Sequence, residues 1–220
     1  MSDPRAAAKE LAGRRAAGYV TDGMRVGLGT GSTVHFTIVA LGERKPDILC
    51  AATSERTRAL ATELGLRVVP PDELLELDIA IDGADEVDAR FNLIKGGGGA
   101  HLREKIIAAM ARRFIVVVDE AKLVETLGAF PLPLEVLPFA PAVAAAQVRA
   151  LGARAVTTRA GRSDNGNLLM DAAFERIPDP APLAERLAAI PGIVGHGLFL
   201  APMVERVVVA GADSVRELVR

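Results

Sequence analysis

Lys95, a run of four glycines and Glu104 stand within one short stretch, KGGGGAHLREK. Glycines lose more backbone freedom on folding than any other residue, so a plain connecting loop is a poor reason for four in a row; close approach of the backbone to a ligand is a better one. A cation entering such a loop can offset negative charge that develops on a small anionic substrate. A glutamate on the helix leaving it can be placed as a general base. Upstream, LDIAIDGADEVD ends an apolar run with Asp82, Asp85, Glu86 and Asp88. Carboxylates gathered this way perturb one another's proton affinity, which suits proton transfer near neutral pH. The plainer reading is a solvated acidic turn, and it is the one adopted for Glu86 and Asp88. Clustered oxygens also suit magnesium or calcium, but the spacing fits no EF-hand loop, and no metal site is expected.

GLGTGST, residues 27–33, follows another apolar run and opens a helical stretch. Its glycines let the backbone approach a ligand, while N–H groups, the helix dipole and the hydroxyls of Thr30, Ser32 and Thr33 suit a phosphate. A Gly-rich turn with a Ser/Thr cap and no ligand is the alternative. A dinucleotide fingerprint fails, because Ser32 stands where a third glycine is needed and CAATS ends the next apolar run without an acid. A P-loop fails for want of a lysine before the hydroxyl residue. His35, His101 and His196 form no ligand or triad pattern and read as structural. Ser32 and Ser54 lack a GxSxG elbow. Cys50, the single cysteine, lies in an apolar run and reads as a buried structural residue.

The elements that must hold these motifs alternate regularly between residues 24 and 119. MRVGLG, DILCAAT, LRVV, LDIAID and FIVVVD read as strands, and the stretches 32–41, 55–64 and 100–112 as helices, with a further covering helix over 4–18. Strands rich in Val, Ile and Leu without polar alternation are buried on both faces. The expected class is therefore α/β, a Rossmann-like, largely parallel sheet flanked by helices. The acidic motif then falls at the carboxyl end of a strand, the edge where open α/β sheets bind ligands. After Phe130 the texture changes to PLPLEVLPFAP, which marks a boundary. A strand over 134–137, a helix over 142–151, strands over 154–158 and 168–171, a helix over 181–190 and a strand over 193–199 follow. That order is the β-α-β-β-α-β of a smaller α+β ferredoxin-like domain. SDNGN between its middle strands predicts a hairpin with a type I′ turn at Asn165-Gly166. ERVVVAGADSVRELV returns to the style of a buried strand followed by a helix. The expected partition is 1–129 with 205–220 for the Rossmann-like catalytic domain and 130–204 for the ferredoxin-like one.

Lysine and arginine number 26 against 28 acidic residues, a net charge of −2, with 4% aromatics and no tryptophan. No surplus cation or stacking surface is available for a polyanion, so nucleic-acid binding is not expected. Mean hydropathy is +0.27, yet apolar runs such as 114–118 and 139–146 fall well short of the about 20 residues a membrane span needs. The N-terminus mixes acids and bases where a secretory signal carries an apolar stretch, and a cytoplasmic protein is expected.

GTGST, DGADEVD and KGGGGAHLREK, in that order, resemble ribose-5-phosphate isomerases of the A type. FPLPLEVLP, SDNGN and the ferredoxin-like order extend the similarity through most of the chain. The resemblance implies aldose–ketose isomerisation of D-ribose 5-phosphate and D-ribulose 5-phosphate in the non-oxidative pentose phosphate pathway, without metal or organic cofactor, by a homodimer or tetramer. By position it assigns substrate binding to Thr30, Gly31, Ser32 and Thr33, to Asp82, Gly83, Ala84 and Asp85, and to Lys95, Gly96, Gly97 and Gly98. Lys122 falls where the family has a further substrate-binding lysine, and Glu104 matches the catalytic base. Lys95 is expected to stabilise the oxyanion, while Asp82 and Asp85 bind sugar hydroxyls and move protons between oxygens or help open the furanose ring. Ala100-His101 after the fourth glycine and TSERT at 53–57 depart from the usual pattern. An isomerase of a related phosphosugar and a catalytically inactive sugar-phosphate sensor are the alternatives; the presence of Asp82, Asp85, Lys95 and Glu104 together speaks against the sensor.

Overall fold

A computed structural model of the chain describes residues 4–211 and 214–220. Its elements begin with α1 (Pro4–Ala17), β1 (Arg25–Leu28), α2 (Ser32–Arg44), β2 (Leu49–Ala52), α3 (Glu55–Glu63), β3 (Arg67–Val68) and β4 (Ile79–Asp82). They continue with β5 (Glu86–Asp88), β6 (Leu93–Ile94), α4 (His101–Met110), β7 (Phe114–Asp119), β8 (Leu123–Val124) and β9 (Leu132–Val136). The last are α5 (Pro141–Ala150), β10 (Ala155–Arg162), β11 (Leu168–Ala173), α6 (Pro180–Ala188), β12 (Ile193–His196), β13 (Leu198–Phe199), β14 (Arg206–Ala210) and β15 (Val215–Val219).

One compact unit holds the described residues of 1–84, 103–122 and 202–220. Its sheet has the order β15-β14-β7-β4-β1-β2-β3. All neighbours are parallel except β14 and β15. The pleat sends alternate side chains to opposite faces. Val26, Leu28, Ile79, Ile81, Ile115 and Val117 pack with Ala12 and Ala16 of α1 and Val34, Ile38 and Leu41 of α2. On the other face Gly27 meets Ile107 of α4 so closely that a side chain at residue 27 would collide with it. Both faces are covered, which is why these strands show no polar alternation. Cys50 is fully buried in β2, and burial pushes its thiol up to about 12. Among the described residues no helix is long and apolar enough to cross a membrane.

The C-terminal segment differs from the expectation of a strand followed by a helix: β15 is a strand, antiparallel to β14. Only four residues separate the two in sequence, enough for an antiparallel neighbour and too few for a parallel crossover. Pairing brings Glu217 to Arg15, 2.6 Å away, and to Arg206. The Tyr19 hydroxyl first, then Arg15 and Arg206, hold the Glu217 carboxyl down to about 2. A carboxyl depressed below its usual value of about 4.3 stabilises the fold above that value and stops doing so as pH falls through the folded pKa. Glu217→Gln is therefore expected to lower Tm at pH 7. The gap to the parent protein should close as pH drops from about 4.5 to about 2, as thermal melts across that range would record.

The other unit holds 85–102 and 123–201. Its larger sheet has the order β10-β11-β9-β12 with every pair antiparallel. With α5 and α6 this is the ferredoxin-like order expected, packed through Leu132, Leu134, Val136, Val148, Ala184 and Leu187. The hairpin joining β10 and β11 is not type I′, since Gly166 has φ +82° and Asn165 keeps a negative φ. Gly166 N donates to Ser163 O at 2.9 Å and Ser163 N to Asn167 O at 3.0 Å. This three-residue loop needs one left-handed residue, not two. Glu135, fully buried in β9, sets the choice: its Oε1 accepts from Ser163 Oγ, Asn165 Nδ2 and Asn167 Nδ2 at 2.7, 2.9 and 2.8 Å.

A third sheet, β13-β6-β5-β8, also lies in this unit. It overturns two expectations. The stretch 193–199 is two strands in two sheets, interrupted at Gly197, not one. Glu86 and Asp88 are buried rather than solvated, at 3% and 6% exposure. Glu86 accepts the Gly128 and Phe130 N–H groups at 2.7 and 2.6 Å. Asp88 accepts the Arg90 and Asn92 N–H groups and Asn92 Nδ2. Both satisfy buried backbone that no ladder reaches.

Candidate active site

In the first unit the 27–33 turn leaves β1 and enters α2. Gly29 passes so close to the end of β4 that any Cβ there would collide with the Asp82 carboxyl. Asp82, 3% exposed, uses Oδ1 to accept the Thr30 and Gly83 N–H groups at 3.1 and 2.7 Å. One carboxylate thus ties the glycine turn to the end of β4. The Thr30 hydroxyl turns into a cluster of hydroxyls, 2.8 Å from Thr53, 2.7 Å from Ser54 and 3.0 Å from Thr57. Ser54 also caps α3 by accepting the Thr57 N–H, and Thr57 Oγ1 donates to Gly29 O at 2.9 Å. Gly31 caps α2, Ser32 is exposed at its first turn and Thr33 is buried. Gly83 and Ala84 are half-buried where β4 ends.

Ser32 has a neighbour that sequence reasoning missed: Lys9 of α1 donates Nζ to Ser32 Oγ at 3.1 Å and lies 3.9 Å from Asp119. A single lysine in a helix rich in basic residues gives no signal in the sequence. Lys122 is half-buried in the short turn after β7. Helix α4 carries Glu104 in its first turn, 4% exposed. Its far end is fixed beside the start of β4, where Leu77 N donates to Met110 O at 2.9 Å. Ile107 lies level with Gly27 and Ala80, so one turn back, about 4.5 Å along the helix, Glu104 reaches the carboxyl edge of the sheet near the level of Asp82.

In the second unit Asp85, Lys95, Gly96, Gly97 and Gly98 come together. Asp85 N donates to Ile94 O at 2.8 Å, and Asp85 Oδ2 accepts the Gly97 N–H at 2.8 Å. A Cβ on Gly97 would stand 2.7 Å from Asp85 Oδ1, so the loop can approach this carboxylate only as glycine. Lys95 is 2% exposed, with Nζ 5.4 Å from the centroid of the Phe199 ring, over its face. Its backbone N–H donates to Gly197 O at 2.9 Å. Gly97 and Gly98 are exposed while Gly96 is buried. The long side of this loop is held by Arg159, which donates to the carbonyls of Gly96 and Gly97. His101 and His196 are buried and His35 is exposed; among the described residues no group of three His, Cys, Asp or Glu could hold a metal ion.

The first unit supplies buried carboxylates and backbone donors at a helix start, and the second a buried ammonium beside a glycine loop, groups of the kind that move protons on a phosphorylated substrate. The family model described as ribose 5-phosphate isomerase A (phosphoriboisomerase A) matches residues 49–214. The ribose-5-phosphate isomerase A of Thermomicrobium roseum is 48% identical over 97% of this chain and 94% of its own. That of Sphingopyxis alaskensis is 46% identical over 95% and 94%. Among solved structures, ribose 5-phosphate isomerase A from Methanocaldococcus jannaschii superposes with a TM-score of 0.91 at 38% identity, covering 97% of this chain and 98% of that one. A D-ribose-5-phosphate isomerase in complex with phospho-erythronic acid gives 0.93 at 38% identity over the same shares. Likeness at that level spans nearly the whole chain, and the chain belongs to the ribose 5-phosphate isomerase A family.

Proposed function

We infer that the chain interconverts D-ribose 5-phosphate and D-ribulose 5-phosphate in the non-oxidative pentose phosphate pathway. The observation that carries this is identity of 48% across 97% of the chain with a protein named ribose-5-phosphate isomerase A. The burial of Asp82, Lys95 and Glu104 supports the roles assigned to them, because ionisable groups are costly to enclose and gather where chemistry needs them.

In the open-chain aldose the C1 carbonyl acidifies the proton on C2. Glu104, as carboxylate, takes that proton to leave an enediolate and returns it to C1, while the proton on O2 passes to O1. Atoms and charge balance without an oxidant. Lys95 offsets the charge on the enediolate oxygen. Asp82 and Asp85 bind hydroxyls and carry the oxygen-to-oxygen proton, or assist ring opening. Ser32, Thr33 and the first-turn N–H groups of α2 take the phosphate, with Lys9 and Lys122 as its cations. Binding energy from the phosphate fixes the reacting carbons. We take the reaction to need no metal or organic cofactor, and the protein to work in the cytoplasm as a homodimer or tetramer, which sedimentation of the purified chain would measure.

Incubation with ribose 5-phosphate in D2O containing EDTA, followed by NMR, tests the reading. Ribulose 5-phosphate carrying deuterium at C1 is expected. Binding without ketose formation would replace the isomerase by an inactive sugar-phosphate sensor, and ketose formed only from another phosphosugar would move the substrate.

A further inference from the structure

Arg159 lies near the middle of β10, an edge strand most of whose residues are exposed. Its Nη1 donates to Gly96 O at 2.8 Å and to Gly97 O at 3.1 Å. Nε and Nη2 grip Asp171 of β11 in a two-pronged bridge of 2.8 and 2.6 Å. Only 19% of the arginine side chain and 25% of the aspartate side chain are exposed, so this is not a solvent-screened surface pair.

The consequence follows from peptide geometry. In a trans peptide the C=O and the next N–H point to opposite sides, and no described peptide is cis. Holding Gly96 O turns the Gly97 N–H away from the guanidinium, where it donates to Asp85 Oδ2 at 2.8 Å. Holding Gly97 O turns the Gly98 N–H away from Arg159 as well. One side chain thereby fixes two successive peptide planes in a glycine run that would otherwise sample many conformations. Through Gly97 it also orients Asp85. Lysine could not replace it, since a single ammonium lacks the planar fork that grips a carboxylate while still serving two carbonyls. The contacts of SDNGN with Glu135 serve the same end, pinning the tip of the hairpin that presents Arg159.

We propose that Arg159, clamped by Asp171, is a positioning residue of the isomerase that holds the glycine loop after Lys95 and sets the orientation of Asp85. The inference rests on the isomerase reading. Steady-state kinetics and amide exchange of Arg159→Ala, Arg159→Lys and Asp171→Asn test it. Arg162→Ala serves as the control, because that neighbouring arginine bonds Gly166 O in the hairpin turn. Arg159→Ala is expected to lower kcat roughly 10- to 100-fold, the scale of a misplacement of about 1 Å, with KM changed less than about threefold and faster exchange of the Gly97 amide. Added guanidinium at millimolar concentration should restore part of kcat to Arg159→Ala and none to Arg162→Ala. Arg159→Lys should not recover the parent rate. Asp171→Asn should lose less, and its loss should not add to that of Arg159→Ala. Parent-like kcat in a folded Arg159→Ala, or a loss of kcat with unchanged Gly97 exchange and no rescue, would overturn the proposal. If Arg159→Ala does not fold, parent-like kcat in Asp171→Asn overturns it alone. Absence of isomerase activity in the parent protein would instead sink the isomerase reading, and Gly97 exchange would still report whether Arg159 holds the loop.

Discussion

Glu104→Gln is expected to lower kcat for ribose 5-phosphate by roughly 10²- to 10⁴-fold, the range a positioned general base contributes, while the thermal melt stays close to that of the parent protein. Glutamine keeps the shape and the hydrogen-bonding reach of glutamate. It cannot take a proton from carbon. Glu104 is 4% exposed in the first turn of α4, and the helix is fixed at its other end beside Leu77, so the substitution leaves the backbone nothing to relax around. Because the missing step occurs only in the transition state, kcat and kcat/KM should fall together. Deuterium uptake from D2O into substrate should fall by the same factor, since the base that removes the proton also exchanges it. Turnover within a few-fold of the parent protein would remove Glu104 from the role of base.

How far Glu104 and its neighbours could be singled out from sequence depends on what surrounds them. The strands β1, β4 and β7 were legible because each is covered on both faces, and a short uninterrupted Val/Ile/Leu run bounded by turn residues is what that burial requires. The sheet β13-β6-β5-β8 was not. Its strands run two or three residues, too short for any period, and β5 is mostly acidic because Glu86 and Asp88 are pulled inward to satisfy backbone N–H groups. The C-terminal strand was hidden for another reason: SVRELV fits a helical period as well as a strand, and only the partner β14 decides between them.

The candidate site divides along similar lines. Glycine runs and clustered charges are conspicuous in a sequence because they are costly anywhere else, and they pointed to the two loops and to Glu104. Sequence treated the hydroxyls of Thr30, Ser32 and Thr33 alike as phosphate ligands. The structure separates them, since the Thr30 hydroxyl is turned toward Thr53, Ser54 and Thr57 while Ser32 is exposed beside Lys9. Lys9 and Arg159 were invisible for a common reason: each is a basic residue on an ordinary helix or strand, distant in sequence from the loop it serves, and no local pattern records which carbonyl or hydroxyl it will meet.

Lys95→Met should lower kcat roughly 10²- to 10³-fold, the cost of removing one preorganised donor to an oxyanion, and should raise KM as well. Methionine is the informative replacement because Lys95 is 2% exposed and stacked over Phe199. Its flexible thioether chain fills much of the same space and tolerates an aromatic neighbour, whereas alanine would add the effect of a cavity. The backbone of residue 95 stays anchored through its N–H to Gly197 O, so the glycine loop that follows should keep its course. A loss confined to KM, with kcat unchanged, would mean that the ammonium binds substrate and transition state equally and has no part in stabilising the enediolate. A loss in kcat with deuterium exchange reduced in parallel would place the charge at the step that forms it. The two substitutions also separate from each other under general-base rescue. Formate or acetate supplies a base and should restore some turnover to a Glu104→Ala protein, but it offers no cation, so Lys95→Met should not respond.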